Sequence, residues 1–277
     1  MLLVSSRLDF WNCTEFSETD AIRDVVLEDP STAVDRDLSE AEYLAALKAQ
    51  RVLLLVHGYN NTEDDVNLAY ARIERTVRST FGKEYDVVTG YTWPGGAIGT
   101  SYPIARSRAN TAGPRLATWI RKIAGAAKAL DIMCHSLGAR VVLKALEKGR
   151  SKPVRNLYLL AAAVDNEAIE KGEEFYDASK RCRKVVVMHS KHDRTLGIWF
   201  RIGDAILPWQ WLDMFDVALG HSGPEDPADI VEHSPHVIVV NGKNDRLDHG
   251  DYKDHPAVYG FIAKFLANKT PGQFHTL

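Results

Sequence analysis

Residues 130–146 read LDIMCHSLGARVVLKAL, and the organisation of the chain follows from how this stretch divides. Ile132 to Cys134 is a short apolar run of strand character, while Val141, Val142, Ala145 and Leu146 recur at helical spacing. Between the two lies Cys134-His135-Ser136-Leu137-Gly138. A serine at the tip of a strand-to-helix turn, with small residues two positions to either side, has the pattern of a nucleophile elbow. Such a turn forces the serine backbone into a sparsely populated conformation, and only small neighbours at 134 and 138 clear the adjoining strand and helix. The hydroxyl is then held clear of the sheet, and the Leu137 amide, at a helix N-terminus, faces a reacting carbonyl oxygen. Cys134 stands where a glycine is usual. The plainer reading is a helix-capping serine after a buried strand, so partners for Ser136 must decide between the two.

Working outward, apolar strands alternate with amphipathic helices. Val52 to Val56 is a continuous apolar run, as expected of a central strand covered on both faces, and it ends in His57-Gly58-Tyr59-Asn60-Asn61. Tyr85 to Trp93 reads as a strand ending at Pro94-Gly95-Gly96, Val154 to Val164 as one ending at Asp165, and Lys184 to Met188 as one ending at His189-Ser190-Lys191-His192-Asp193. His236 to Val240 is the last predicted strand. Helices are predicted from a Ser39/Glu42 capping box to about Ala49, over about Glu63–Thr80 and Ser107–Ala129, after Gly138, and over about Pro256–Ala267. Asn60 and Asn61, with the acidic residues after them, are expected to cap the helix that follows. Residues 2–4 read as a short strand, and the acidic stretch from there to Asp37 shows little periodicity. The alternation implies an α/β fold with a doubly wound, mostly parallel sheet in a single domain spanning 1–277. Residues 195–235 do not read as sheet and are expected to form a small helical cap.

Composition narrows the function classes. With 277 residues, 45% hydrophobic and 26% charged, the chain suits a globular domain with a full core. A net charge of -3 without a basic block gives no reason to expect nucleic acid. The three cysteines are scattered, so no disulfide framework is expected. The N-terminus lacks the basic flank and apolar length of a signal peptide, and no segment reaches the ~20 apolar residues of a membrane span. A cytoplasmic setting is the resulting expectation; the oligomeric state is left open.

In sheets of this kind ligands sit at the carboxyl ends of the strands. Serine hydrolysis needs a base for the hydroxyl proton, an acid to hold that base, and amides for the oxyanion. Ser136, Asp193 and His249 all lie at predicted strand carboxyl ends, in the chain order nucleophile, acid, base. Asp165 is the rival acid, one strand earlier, and His255, directly before a proline that would start the last helix, is the rival base. The second oxyanion amide is expected from Tyr59, in the loop after Val56. Trp93, Trp199, Trp209, Trp211 and Phe215 are the expected apolar lining of a substrate pocket, the last four within the cap.

HGYNN (57–61), YTWPG (91–95), CHSLGAR (134–140) and HDRTL (192–196) together resemble a family of largely uncharacterised bacterial α/β-hydrolases. Members of that family show HGYN, a WP-containing strand end and an HSxGxR elbow. The resemblance covers roughly residues 50–255, with the elbow and HGYN its more specific parts. It implies an α/β-hydrolase fold with Ser136 as nucleophile, Asp193 as acid and His249 as base, and it implies no particular substrate, since related folds include esterases, lipases, thioesterases and peptidases.

The functional expectation is a carboxylic ester hydrolase acting on small, uncharged, partly apolar esters, with no cofactor. Thioesterase or peptidase activity, or a non-catalytic scaffold keeping the fold, are the alternatives. Among the ten histidines, His189, His192, His233, His236 and His249 invite a metal reading with Asp193, but none shows zinc-protease spacing, so no metal is expected. Gly95-Gly96-Ala97-Ile98-Gly99 lacks the lysine of a phosphate loop. Cys134 is expected to be packing rather than a second nucleophile.

Overall fold

The computed structural model describes residues 1–27, 35–97, 100–147, 154–197 and 217–277. Its strands are β1 (Leu2–Arg7), β2 (Phe16–Asp24), β3 (Arg36–Asp37), β4 (Arg51–Val56), β5 (Val87–Thr92), β6 (Ala129–His135), β7 (Val154–Leu160), β8 (Cys182–His189), β9 (Val237–Asn241) and β10 (Phe274–Thr276). They form one sheet in the order β10-β9-β8-β7-β6-β4-β5-β1-β2-β3. All pairings from β10 through β1 are parallel; β1 with β2 and β2 with β3 are antiparallel. The α/β, mostly parallel reading of the sequence holds.

The helices that matter for the site are α1 (Glu40–Leu47), α2 (Glu63–Phe81), α3 (Tyr102–Ala126), α4 (Gly138–Glu147) and the C-terminal helix Pro256–Leu266. From β4 the chain steps to β5 on one side and then returns past β4 to β6 on the other. Right-handed crossovers in opposite directions place α2 and α3 on opposite faces of the sheet. In agreement, α3 packs on α1 and α4, whereas α2 packs on the C-terminal helix. The gap between β4 and β6 is therefore a topological switch point, where a crevice opens beyond the strand carboxyl ends.

Local chemistry fixes the ends of these elements. The Ser39–Glu42 capping box starts α1 as expected, with Glu42 N donating to Ser39 Oγ and Glu42 accepting from Ser39 N at 2.8 Å. The start of α2 differs from expectation. Thr62, not Asn60 or Asn61, is the N-cap, in a reciprocal box with Asp65. Asn60 instead takes a left-handed turn at φ 55°, and Asn61 Nδ2 donates to Tyr59 O at 2.6 Å.

Three strands escape the sequence pattern: β2, the two-residue β3 paired with it, and β10. β2 lies in the stretch that shows no periodicity, because as FSETDAIRD it is mostly exposed or half-exposed and is held by its ladder to β1. β10 is a three-residue edge strand on β9. β7 stops at Leu160, short of the predicted Val164. Helix α3 begins at Tyr102, before the predicted Ser107, with Pro103 in its first turn. Within the expected cap, the described residues include short helices Leu219–Ser222 and Pro227–His233; residues 198–216 lie outside the described residues.

Gly138 shows how closely α4 is set against the sheet. A Cβ there would stand 2.5 Å from the carbonyl oxygen of His57 and 2.7 Å from that of Val56. Both are backbone atoms that cannot swing aside. Gly138→Ala is expected to lower stability by about 1–3 kcal/mol, read as a lower urea midpoint. Gly125→Ala, in the last turn of α3 where a Cβ meets nothing within 4 Å, is expected to leave the midpoint unchanged or raise it by up to ~0.5 kcal/mol.

Candidate active site

β6 runs straight into the turn that carries Ser136. Its backbone sits at φ 54°, the left-handed region that non-glycine residues rarely occupy. Three hydrogen bonds hold it there. Ser136 N donates to Leu160 O at 3.0 Å, and Ser136 O accepts from Ala139 N at 3.0 Å and Ala163 N at 3.1 Å. The strain is thus over-determined by β7 on one side and α4 on the other. Gly58 closes the turn from the β4 side, since a Cβ there would lie 2.9 Å from Ser136 Cβ and 3.0 Å from His135 O. Leu137 opens α4 with its side chain in the core. Cys134 is also buried, its thiol 3.5 Å from Tyr158 O, and burial raises the thiol pKa, so it packs as a small hydrophobe.

Asp193 and His249 come together from two other strand ends. His249 Nδ1 lies 2.8 Å from Asp193 Oδ2, with Asp193 fully buried and His249 18% exposed. The second carboxylate oxygen accepts from Leu196 N at 2.9 Å. A carboxylate accepts, so Nδ1 carries a proton, and in the neutral ring Nε2 is the nitrogen with the lone pair. The backbone around His249 is pinned twice. Asp248 accepts from both His249 N and Arg194 N, at 2.8 and 3.0 Å, and His135 Nε2 donates to His249 O at 2.8 Å.

The two rival residues have other partners. Asp165 pairs with Arg106 of α3 at 3.4 Å. His255 caps the C-terminal helix, its Nδ1 accepting from Ala257 N at 3.3 Å. A further buried carboxylate, Asp131, lies near the start of β6, toward the opposite end of the strand from Ser136, and is engaged by Arg155, Asn156 and Tyr85.

His57, from HGYN, is a strut. Its Nε2 lies 3.1 Å from Arg7 Nη2 and accepts from Trp93 N at 3.2 Å, while Nδ1 donates to Gly58 O at 2.8 Å. Two donors on Nε2 leave only Nδ1 to carry the proton, so the ring is neutral, and burial together with the Arg7 charge depresses its pKa further. Arg7 itself is fully buried without a carboxylate, spending its donors on the carbonyls of Trp93, Trp11 and Asn61. Burial lowers its pKa from the ordinary 12.5 to about 10. It ties β1, the end of β5 and the 57–61 loop into one unit. No sequence signal marks it, because it lies fifty residues before the histidine it contacts.

Ser136 and His249 line one cavity of about 330 Å³ at this rim, together with His135 and Tyr59. Leu68, Ala69, Tyr102, Ala163 and Leu196 give it an apolar wall. Asp65, Arg72 and Lys253 give it a charged one that the sequence reading did not anticipate. Trp93, expected among the pocket residues, is instead fully buried beneath the loop, stacked on His57 at 5.7 Å with Nε1 donating to His57 O. Its indole fills the floor beneath the 57–61 loop. Trp199, Trp209, Trp211 and Phe215 lie outside the described residues.

Parallel sheet, switch-point crevice and strained serine turn define an α/β hydrolase. The chain belongs to the family described as alpha/beta hydrolase of unknown function (DUF900), whose sequence model matches residues 32–268. No curated protein matches it. Among solved structures it is similar to a thermophilic esterase of Thermogutta terrifontis with butyrate bound (8% identity, TM-score 0.46, covering 93% of this chain and 92% of that one). It is also similar to an esterase of Pyrobaculum calidifontis (11%, 0.41, 80% and 77%) and a gene product of Listeria innocua (11%, 0.41, 82% and 98%).

His57, His135 and His189 all have pKa values depressed chiefly by burial, His189 to about 4. In the unfolded chain each titrates near 6.5, so acid protonates the unfolded state first. Their contribution to stability is therefore complete above pH 6.5 and is lost as pH falls below it. Lowering pH from 7.5 to 5.5 is expected to remove about 1.4 kcal/mol for each imidazole still neutral in the fold, checked by urea unfolding at both pH values. His57→Gln should flatten that slope by one such share.

Proposed function

We propose that the protein is a serine hydrolase of carboxylic esters, with Ser136 as nucleophile, His249 as general base and Asp193 as its orienting acid. In this reading His249 Nε2 takes the Ser136 hydroxyl proton while Oγ attacks the ester carbonyl. Asp193 holds the imidazole in the Nδ1–H tautomer and stabilises the imidazolium that forms. The tetrahedral oxyanion is met by the backbone amides of Leu137, at the start of α4, and Tyr59, in the loop after β4. Proton return from His249 expels the alcohol, and a water activated by the same imidazole frees the acyl group.

The observation that carries this reading is the shared cavity. A serine in a strained turn and a histidine hydrogen-bonded at 2.8 Å to a buried carboxylate open onto the same space. An N-capping serine, the plainer alternative, has no use for that histidine. A cavity of about 330 Å³ suits a small ester, whose aliphatic part would lie on the Leu68–Leu196 wall. Thioesters and amides would use the same atoms and differ only in the leaving group, so a panel of p-nitrophenyl esters, thioesters and peptides sorts them.

Ser136→Ala and His249→Ala are each expected to lower kcat for p-nitrophenyl butyrate by a factor on the order of 10⁴ to 10⁶, and Asp193→Asn by about 10⁴. His255→Ala should lose about 1 kcal/mol of stability with its cap, yet keep kcat within about twofold. Hydrolysis that survives Ser136→Ala undiminished would remove the proposal.

A further inference from the structure

The mouth of the Ser136 cavity carries two cations that hold no ion pair among the described residues. Arg72 projects from α2, and Lys253 stands in the short 3-10 turn Asp251–Lys253, four residues after His249. Among the described residues neither side chain forms a hydrogen bond or an ion pair. The carboxylate that lines the same wall, Asp65, attracts Lys253 through space but makes no contact with it, being held by the start of its own helix. Its Oδ2 accepts from Thr62 N and Thr62 Oγ1, at 2.9 and 2.7 Å, to cap α2.

Lys253 is the more telling of the pair. It is only partly exposed, and a partly buried ammonium with no direct hydrogen-bonded partner, only the more distant pull of Asp65 and Asp254, gains from a bound anion that supplies one. Burial lowers its pKa; the Asp65 carboxylate opposes this, and the smaller effects of Arg72, which lowers it, and Asp254, which raises it, act in opposite directions. Its own charge depresses His135, beside Ser136, and reaches His57 under the oxyanion loop. The ammonium thus stands within electrostatic range of the reacting centre. Elsewhere in the described residues Arg115, Arg140, Lys144 and Arg155 hold carboxylates, while the buried Arg7 spends its donors on carbonyls.

From this arrangement we infer that the cavity selects esters carrying an anionic group, a carboxylate or a phosphate, held by Lys253 and Arg72 while the ester carbonyl lies at Ser136. The inference rests on the hydrolase reading for the position of the ester, but the anion site itself stands on the two cations and the cavity. Arg72 supplies a forked donor and Lys253 a point charge, the usual pair for carboxylate or phosphate oxygens. The apolar wall then takes the few methylenes between the ester and the charge. This reverses the sequence expectation of an uncharged substrate, which rested on the aromatic residues of 199–215.

Binding and turnover separate this inference from the reading beneath it. Methyl hydrogen glutarate, methyl 4-phosphonobutyrate and neutral dimethyl glutarate are titrated by calorimetry into the Ser136→Ala protein, which holds ligand without consuming it. At least one of the two anions is expected to bind about tenfold or more tighter than the diester, and their order tells carboxylate from phosphate. Lys253→Met and Arg72→Gln should each erase about tenfold of that preference, and Lys253→Arg should restore most of it. Equal binding of all three ligands, or a preference untouched in both variants, overturns the anion site. In the wild-type protein the anionic preference should appear in KM of the matching p-nitrophenyl half-esters. Anion binding without any turnover of these esters would leave the site standing and remove the hydrolase reading instead.

Discussion

Everything at the rim of this sheet depends on one backbone conformation, the left-handed turn at Ser136. A non-glycine residue held at φ 54° is strained by an amount on the order of 1–3 kcal/mol, so the surroundings must over-determine it. They do so through hydrogen bonds from β7 and α4 and through two glycines that let main chain approach to contact distance. Gly58 admits the turn from the β4 side; Gly138 lets α4 sit against the carbonyls at the end of β4. Neither glycine serves flexibility. Each marks a place where a single methyl group would push the strand ends apart.

The histidines around the turn divide by protonation and partner. His57 and His135 are neutral struts, each donating one ring proton to a backbone carbonyl, and burial keeps both from charging. His135 holds the loop of His249, and His57 holds the loop of Tyr59 with help from Arg7. His249 has one ring nitrogen on a buried carboxylate, borders open space and shows no such strut role. A general base needs that combination of fixed orientation and an unoccupied nitrogen. The two struts therefore frame the rim on either side of Ser136, from β4 and from β6.

Much of this was legible in the sequence because the parallel strands are buried on both faces and read as unbroken apolar runs, from Val52–Val56 through Val237–Val240. Chain order and strand ends were enough to select Ser136, Asp193 and His249, two of which the fold then brings within hydrogen-bond distance. The edges were not legible. β2 is polar on most of its length, and its strand character comes from pairing with β1, which periodicity cannot see. Trp93 was misplaced because a tryptophan at a strand end reads equally well as pocket lining or as floor; the stacking on His57 decides it. Arg7, Arg72 and Lys253 were missed for a common reason. Their significance lies in how the fold gathers them, and no local pattern records which side chains meet across it.

The claim that Ser136 is an activated nucleophile is tested most directly by exposure to a fluorophosphonate followed by peptide mapping. A single phosphonyl adduct on Ser136, formed rapidly in the wild-type protein and at least about 10³-fold more slowly when His249 is alanine, is the expected result. A folded protein that takes up no label, or one labelled at the same rate with and without the His249 imidazole, would contradict it.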